Sequence, residues 1–313
     1  MHIKPHTFRA LAAIFFTILL TSCGGESDQN DKQPDGPPRI VVTTGMLGDA
    51  VSNLVGTQAQ VEALMGPGVD PHLYKATQGD LERLESADLI IYNGLHLEGK
   101  MVEVFERLAR EKPVIAMAEM LRTRSLISAD NFESAYDPHI WFDVPLWTRA
   151  VKHLRDTLSG FDFINSDSLL TNTRTYVDKL EALDKEVKEI LAPIPLESRV
   201  LITAHDAFGY FGQAYDFEVR GLQGLSTMSE FGLRDRVDLV DMIVRRNIRA
   251  IFVETSVSRQ AIDAVIESAR ERGHDLKVGG RLYSDAMGEP GTEEGTYVGM
   301  VRANARTIAS GLQ

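Results

Sequence analysis

The sequence predicts an α/β protein built as two similar parallel-sheet lobes joined by one long backbone helix. Three observations predict it. From Arg39 onward, short continuous apolar runs alternate with helical patterns, the arrangement expected when parallel strands are buried between crossover helices. The stretch from Ser168 to Leu191 carries Leu169, Thr173, Tyr176, Leu180, Leu183, Val187 and Ile190 at alternating steps of four and three, with charged residues between them; this is one long amphipathic helix. After Pro193 and Pro195 stop it, the strand and helix alternation begins again.

The chain has 313 residues, enough for two domains of ordinary size. Residues 1–22 read as a secretory signal: Lys4 and Arg9 precede the apolar run Ala10 to Leu20, which is too short for a comfortable membrane span. Leu20-Thr21-Ser22-Cys23 resembles a bacterial lipobox, which makes Cys23 the expected lipidated N-terminus of the mature protein. A plain signal peptide with an incidental cysteine is the alternative. Cys23 is the only cysteine, so the mature body has no disulfide framework and no thiolate metal site. Residues 23–38 are too polar to bury anything and read as a flexible tether.

Within residues 39–166, Ile40 to Thr44, Val61 to Met65, Asp88 to Tyr92 and Val114 to Ala116 read as strands. Helices are expected near Met46 to Val55, Gln78 to Ser86 and Met101 to Arg110, and then over Val144 to Leu158 with Asp143 as its N-cap. Residues 167–192 form the linker helix. Within residues 193–313, Val200 to Thr203, Phe217 to Val219 and Ile248 to Val253 read as strands, and Arg234 to Arg246, Arg259 to Arg272 and Tyr297 to Leu312 as helices.

The net charge is −12, and loss of Lys4 and Arg9 with the signal leaves 31 basic against 45 acidic residues, or −14. That balance argues against nucleic acid, whose binding rests on Lys and Arg neutralising phosphates. It mildly favours cations, although an acidic soluble surface accounts for it equally well.

The tripeptide Asp-Pro-His occurs twice, as Asp70-Pro71-His72 and Asp137-Pro138-His139, in a chain with 8 histidines. Proline fixes its own φ and pushes the preceding residue into an extended conformation, so each His leaves a stiffened backbone, as a metal ligand requires. Either copy alone reads more readily as a turn. The second half of the chain offers His205, where a strand gives way to a helix, and Asp285, in the loop Leu282 to Gly288. Both fall where open α/β sheets bind ligands, outside the carboxyl ends of the strands. Three imidazoles and a carboxylate, two groups from each lobe, are expected to meet in the interlobe cleft and suit a first-row divalent cation. Capping roles are the plainer alternatives for His205 and Asp285. His96 is a candidate near-site residue; His153 and His274 lie in polar helical contexts.

The segments Gly66 to Tyr74, Tyr136 to Trp147, Thr203 to Tyr215, Gly221 to Glu230 and Leu282 to Gly288 together resemble the cluster A-I solute-binding lipoproteins of bacterial ABC metal importers, the TroA-like group. The resemblance runs from the lipobox to the C-terminus. It implies a metal held between two α/β lobes by His72, His139, His205 and Asp285, one ion per chain. It also implies a monomeric, lipid-anchored, extracytoplasmic receptor that hands Mn2+ or Zn2+ to a permease with its ATPase. Zinc-dedicated members of that group usually carry a long His-rich loop, in place of which this chain has the short Arg122 to Ser134 stretch without histidine; some manganese members have Glu where this chain has His205. The metal therefore stays open between manganese and zinc. Two other functions remain in view: a zinc-dependent hydrolase, although no His-Glu-x-x-His helix is present, and an adhesin stabilised by its metal.

Overall fold

The computed structural model describes residues 36–129, 136–228 and 232–313. The expected signal peptide, the lipidation site at Cys23 and tether residues 23–35 lie outside the described residues, as do 130–134 of the stretch that replaces a His-rich loop.

The first lobe is built on β1 (Arg39–Val42), α1 (Gly45–Val55), β2 (Gln60–Ala63), α2 (Gln78–Ser86), β3 (Leu89–Tyr92), α3 (Val102–Leu108) and β4 (Val114–Ala116). All pairings are parallel, in the order β2-β1-β3-β4, with Ile40 opposite both Val61 and Leu89. The two inner strands are the most apolar: Ile40, Val41, Val42, Leu89, Ile90 and Ile91 are fully buried. Thr77 and Asp80 close a reciprocal capping box at the start of α2. Helix α4 (Val144–Leu158) begins as expected, with Asp143 accepting from the Leu146 N–H at 2.8 Å and Pro145 in the first turn.

Helix α5 (Ser166–Leu191) has 26 residues, about 39 Å at 1.5 Å per residue. Its buried stripe is Leu169, Thr173, Tyr176, Val177, Leu180, Leu183, Val187 and Leu191. It packs on α1 and α4 of the first lobe and on the C-terminal helix of the second. The second lobe runs β5 (Val200–His205), α6 (Gly209–Tyr215), β6 (Glu218–Gln223), α7 (Leu233–Arg246), β7 (Ala250–Glu254), α8 (Gln260–Glu271), β8 (Lys277–Leu282) and α9 (Tyr297–Leu312). Strand β5 pairs with β6 and β7 with β8, each parallel, and β5 lies beside β7.

Strand β8 departs from expectation, because Gly279-Gly280 dilutes its strand propensity. The glycine serves packing: a Cβ on Gly279 would lie 2.9 Å from the Phe252 ring. One continuous apolar cluster takes in residues of both lobes and the α5 stripe, including Trp147 stacked on Tyr297 at 5.3 Å. Each fully buried leucine in it contributes about 1.5–3 kcal/mol, so α5 is bound to both lobes along one face. Among the described residues no helix is long and apolar enough to cross a membrane.

Candidate metal centre

The two Asp-Pro-His tripeptides fold into the same local device. In each, the aspartate Oδ1 accepts the histidine backbone N–H, Asp70 from His72 and Asp137 from His139, both at 2.9 Å; this is the side-chain-closed turn that Asp favours. Pro71 and Pro138 fix the middle of the turn. Asp137 does more, since its Oδ1 also lies 2.8 Å from His139 Nδ1. A carboxylate can only accept there, so Nδ1 carries the proton and Nε2 faces inward as a lone-pair donor. The peptide before His139 is held in turn by Asn93, whose Nδ2 donates to the Pro138 carbonyl at 3.0 Å. Buried Glu98 fixes Asn93 by accepting from its N–H at 2.7 Å, together with the Thr43 hydroxyl at 2.6 Å.

His205 ends strand β5. Its backbone N–H donates to Glu254 Oε1 at 2.9 Å and its Nδ1 to Oε2 at 2.5 Å, which again leaves Nε2 pointing inward. Glu254 ends β7, the adjacent strand, and sequence reasoning passed over it. The available signal was a carboxylate at the carboxyl end of the buried run Ala250-Ile251-Phe252-Val253, the same position in its strand that singled out His205. Asp285 follows β8 in a loop secured at Ser284, whose carbonyl accepts from Trp141 Nε1 at 3.0 Å and whose hydroxyl meets Ser256 at 2.8 Å.

The structure brings His72, His139, His205 and Asp285 together, with one donor atom from each lying within 4.8 Å of the others. Nε2 of His72 and of His139 are 3.3 Å apart, His139 Nε2 is 3.6 Å from Asp285 Oδ1, and His205 Nε2 is 3.2 Å from Asp285 Oδ2. An ion with bonds of about 2.0–2.2 Å sets neighbouring donors about 3.3–3.6 Å apart, and these three separations lie close to that range. All four side chains are at most 2% exposed. His205 Nε2 and both Asp285 oxygens are buried with no hydrogen-bond partner outside the group itself, an arrangement that a cation among them satisfies. The group could therefore hold one metal ion. Among the described residues no other cluster of His, Cys, Asp and Glu draws its donors so close.

Electrostatics divide the imidazoles. Burial pushes His72 down to about 3, so it is neutral and ready to coordinate at any ordinary pH. Burial also disfavours charge on His205, but Asp285 and Glu254 outweigh it and raise the imidazole well above its usual range. Asp285 is held below the usual carboxylate range: burial opposes this, and the charge and hydrogen bond of His205 prevail. In metal-free protein Asp285 and Glu254 thus favour a proton on His205. An incoming metal must displace its Nε2 proton, so proton and metal compete and affinity falls as pH falls, by about tenfold per unit while His205 stays protonated in the metal-free form. Titration calorimetry at pH 7 in buffers of different ionisation enthalpy is expected to show one proton released per ion bound; an enthalpy independent of buffer contradicts this.

The other histidines supply no donor to the group. His96 sits in the turn after β3, where Gly94, Leu95 and His96 all have positive φ, and lines a separate pocket of about 560 Å³ with Tyr92, Glu98, Glu106 and Glu119. His274 Nε2 lies 2.6 Å from the Ile248 carbonyl, and His153 is exposed on α4.

Comparison with known proteins finds matches along most of the chain. Residues 40–311 match the family model ZnuA, described as the periplasmic component A of a zinc-uptake complex. The chain is 48% identical over 302 residues to the manganese-binding lipoprotein MntA of Bacillus subtilis, covering 96% of this chain and 98% of that protein. It is 44% identical over 304 residues to the zinc-binding protein TroA of Treponema pallidum, covering 97% and 98%. The solved structure of the periplasmic zinc-binding protein TroA from that organism superimposes with a TM-score of 0.85 at 46% identity, covering 88% of this chain and 99% of that one.

Proposed function

Because the chain belongs to the ZnuA family of periplasmic metal-uptake components, we propose that it is an extracytoplasmic receptor that captures one divalent metal ion and delivers it to the permease and ATPase of an ABC importer. His72, His139, His205 and Asp285 are the ligands. The observation that carries this reading is the set of four buried donors at coordination spacing, three of whose atoms have no other partner. The ligands come from a lobe at residues 39–166 and a lobe at 193–313, joined by the linker at 167–192. Lipid on Cys23 anchors the protein, which works as a monomer.

The chain is a carrier and not an enzyme. A catalytic zinc keeps one position for water, whereas here Asp285 turns its two oxygens toward two different imidazoles and fills the shell with protein groups.

Both manganese and zinc bind, and donor chemistry makes zinc the tighter of the two in vitro. The twofold presentation of Asp285 permits coordination above four, which manganese accepts readily and structural zinc rarely adopts. Manganese is thus the physiological cargo, in keeping with the MntA resemblance and the histidine-free Arg122 to Ser134 stretch. Competition titration is expected to place zinc ahead of manganese, while radiolabelled manganese uptake falls in cells lacking the gene. Uptake of zinc alone, indifferent to excess manganese, contradicts the choice of cargo.

A further inference from the structure

All four ligands are buried, so the cargo can leave only when some part of the shell moves. The two Asp-Pro-His turns share the bond from the histidine backbone N–H to the aspartate but differ in how their flanks are held. Asp137, Pro138, His139 and Ile140 are all buried, and bonds from the second lobe grip this turn on two sides: Tyr210 donates to the Asp137 carbonyl at 2.9 Å, and Tyr297 donates to the Trp141 carbonyl at 2.7 Å. Trp141 itself reaches across to Ser284, next to Asp285. In the first turn Pro71 and His72 are buried and Asp70 is half-buried, but the chain on either side is open, with Gly66, Pro67 and Gly68 exposed and Leu73 51% exposed. Among the described residues its hydrogen-bonded tie to the second lobe is partly buried: the Thr227 hydroxyl donates to Asp70 Oδ2 at 2.6 Å. Met228, next to that hydroxyl, is 52% exposed.

Asp70 is a two-handed link. Oδ2 accepts from Thr227 in the segment after β6, while Oδ1 accepts from the His72 backbone N–H. Displacing the carboxylate therefore displaces the turn that carries His72. We propose that Thr227 is a positioning residue for His72, that its bond to Asp70 latches the ligand shell across the two lobes, and that the shell opens for metal exit at His72 while His139, His205 and Asp285 stay together. This rests on His72 being a ligand of the cargo. Thr227 touches no donor atom of the group, so its effect falls on the rate of escape rather than on the chemistry of coordination.

The test uses the mature protein loaded with Mn2+ and mixed rapidly with excess EDTA, with tryptophan fluorescence as the readout. Trp141 lies 5.2 Å from the His139 ring, ring centre to ring centre, so a paramagnetic ion in the group quenches it. Loss of a hydrogen bond to a charged acceptor is expected to speed Mn2+ release by about tenfold in Thr227→Val, with the association rate and the melting temperature of metal-free protein unchanged. Thr227→Ser, which keeps the hydroxyl, should release at the wild-type rate; Thr227→Ala replaces Thr227→Val if the latter fails to fold. A wild-type release rate in the variant without the hydroxyl, or equal acceleration in Thr227→Ser, overturns the latch. Failure of wild-type protein to load Mn2+ at all would instead contradict the ligand assignment.

Discussion

His205→Ala is expected to remove high-affinity binding of both manganese and zinc. The substitution deletes a donor and also the cation that separates two buried carboxylates, because His205 lies 2.5 Å from Glu254 and 3.2 Å from Asp285. Two negative groups then face each other in a dry site, which costs several kcal/mol of stability as well. His139→Ala should remove binding for the first reason, with Asp137 left without its imidazole partner. Changes in groups that merely support a ligand cost about 10- to 100-fold in affinity, and the ligand variants should exceed that range. His96→Ala is the built-in control, since His96 lines a different pocket, and its affinity should remain near wild type. Calorimetric titration of each variant, after circular dichroism has shown it folded, checks the ranking. Binding lost in His96→Ala and kept in His139→Ala would contradict it.

Chelation is the second large effect. An ion that binds only the folded chain stabilises it by RT ln(1 + [L]/Kd), about 4 kcal/mol at a thousandfold excess over Kd. In a chain of this size that corresponds to a shift in melting temperature on the order of 10 °C. The shift should be pronounced because the ligands come from both halves of the chain, two before α5 and two after it, so the ion cross-links segments far apart in sequence. Protein shown to carry metal and then stripped with a strong chelator should melt clearly lower, and the addition of Mn2+ or Zn2+ should restore it. Identical melting curves would count against the group as a metal site.

Most of this molecule was readable from its residues, for reasons specific to each part. Helix α5 announced itself because a long stripe at helical spacing has no other compact solution. The inner strands were legible as unbroken apolar runs, since both faces of β1 and β3 are covered. The four grouped side chains stood out through a repeated tripeptide and through strand-end positions. What escaped was what depends on packing across the sheet. Strand β8 hid behind two glycines, Gly279 packed closely against Phe252 and Gly280 against Thr307, and Glu254 became meaningful only once β7 lay beside β5 and brought it against His205. The Asp70 link to Thr227 joins residues 157 apart in sequence, a distance that no local pattern encodes.

One chain is expected to hold one divalent ion between its lobes through His72, His139, His205 and Asp285. Native mass spectrometry of the mature protein, purified under metal-supplemented conditions, tests it most directly. The expected result is a single added divalent ion per monomer in the wild type and none in a variant carrying both His139→Ala and Asp285→Ala. Retention of one ion by that folded double variant, or two ions in the wild type, would contradict it.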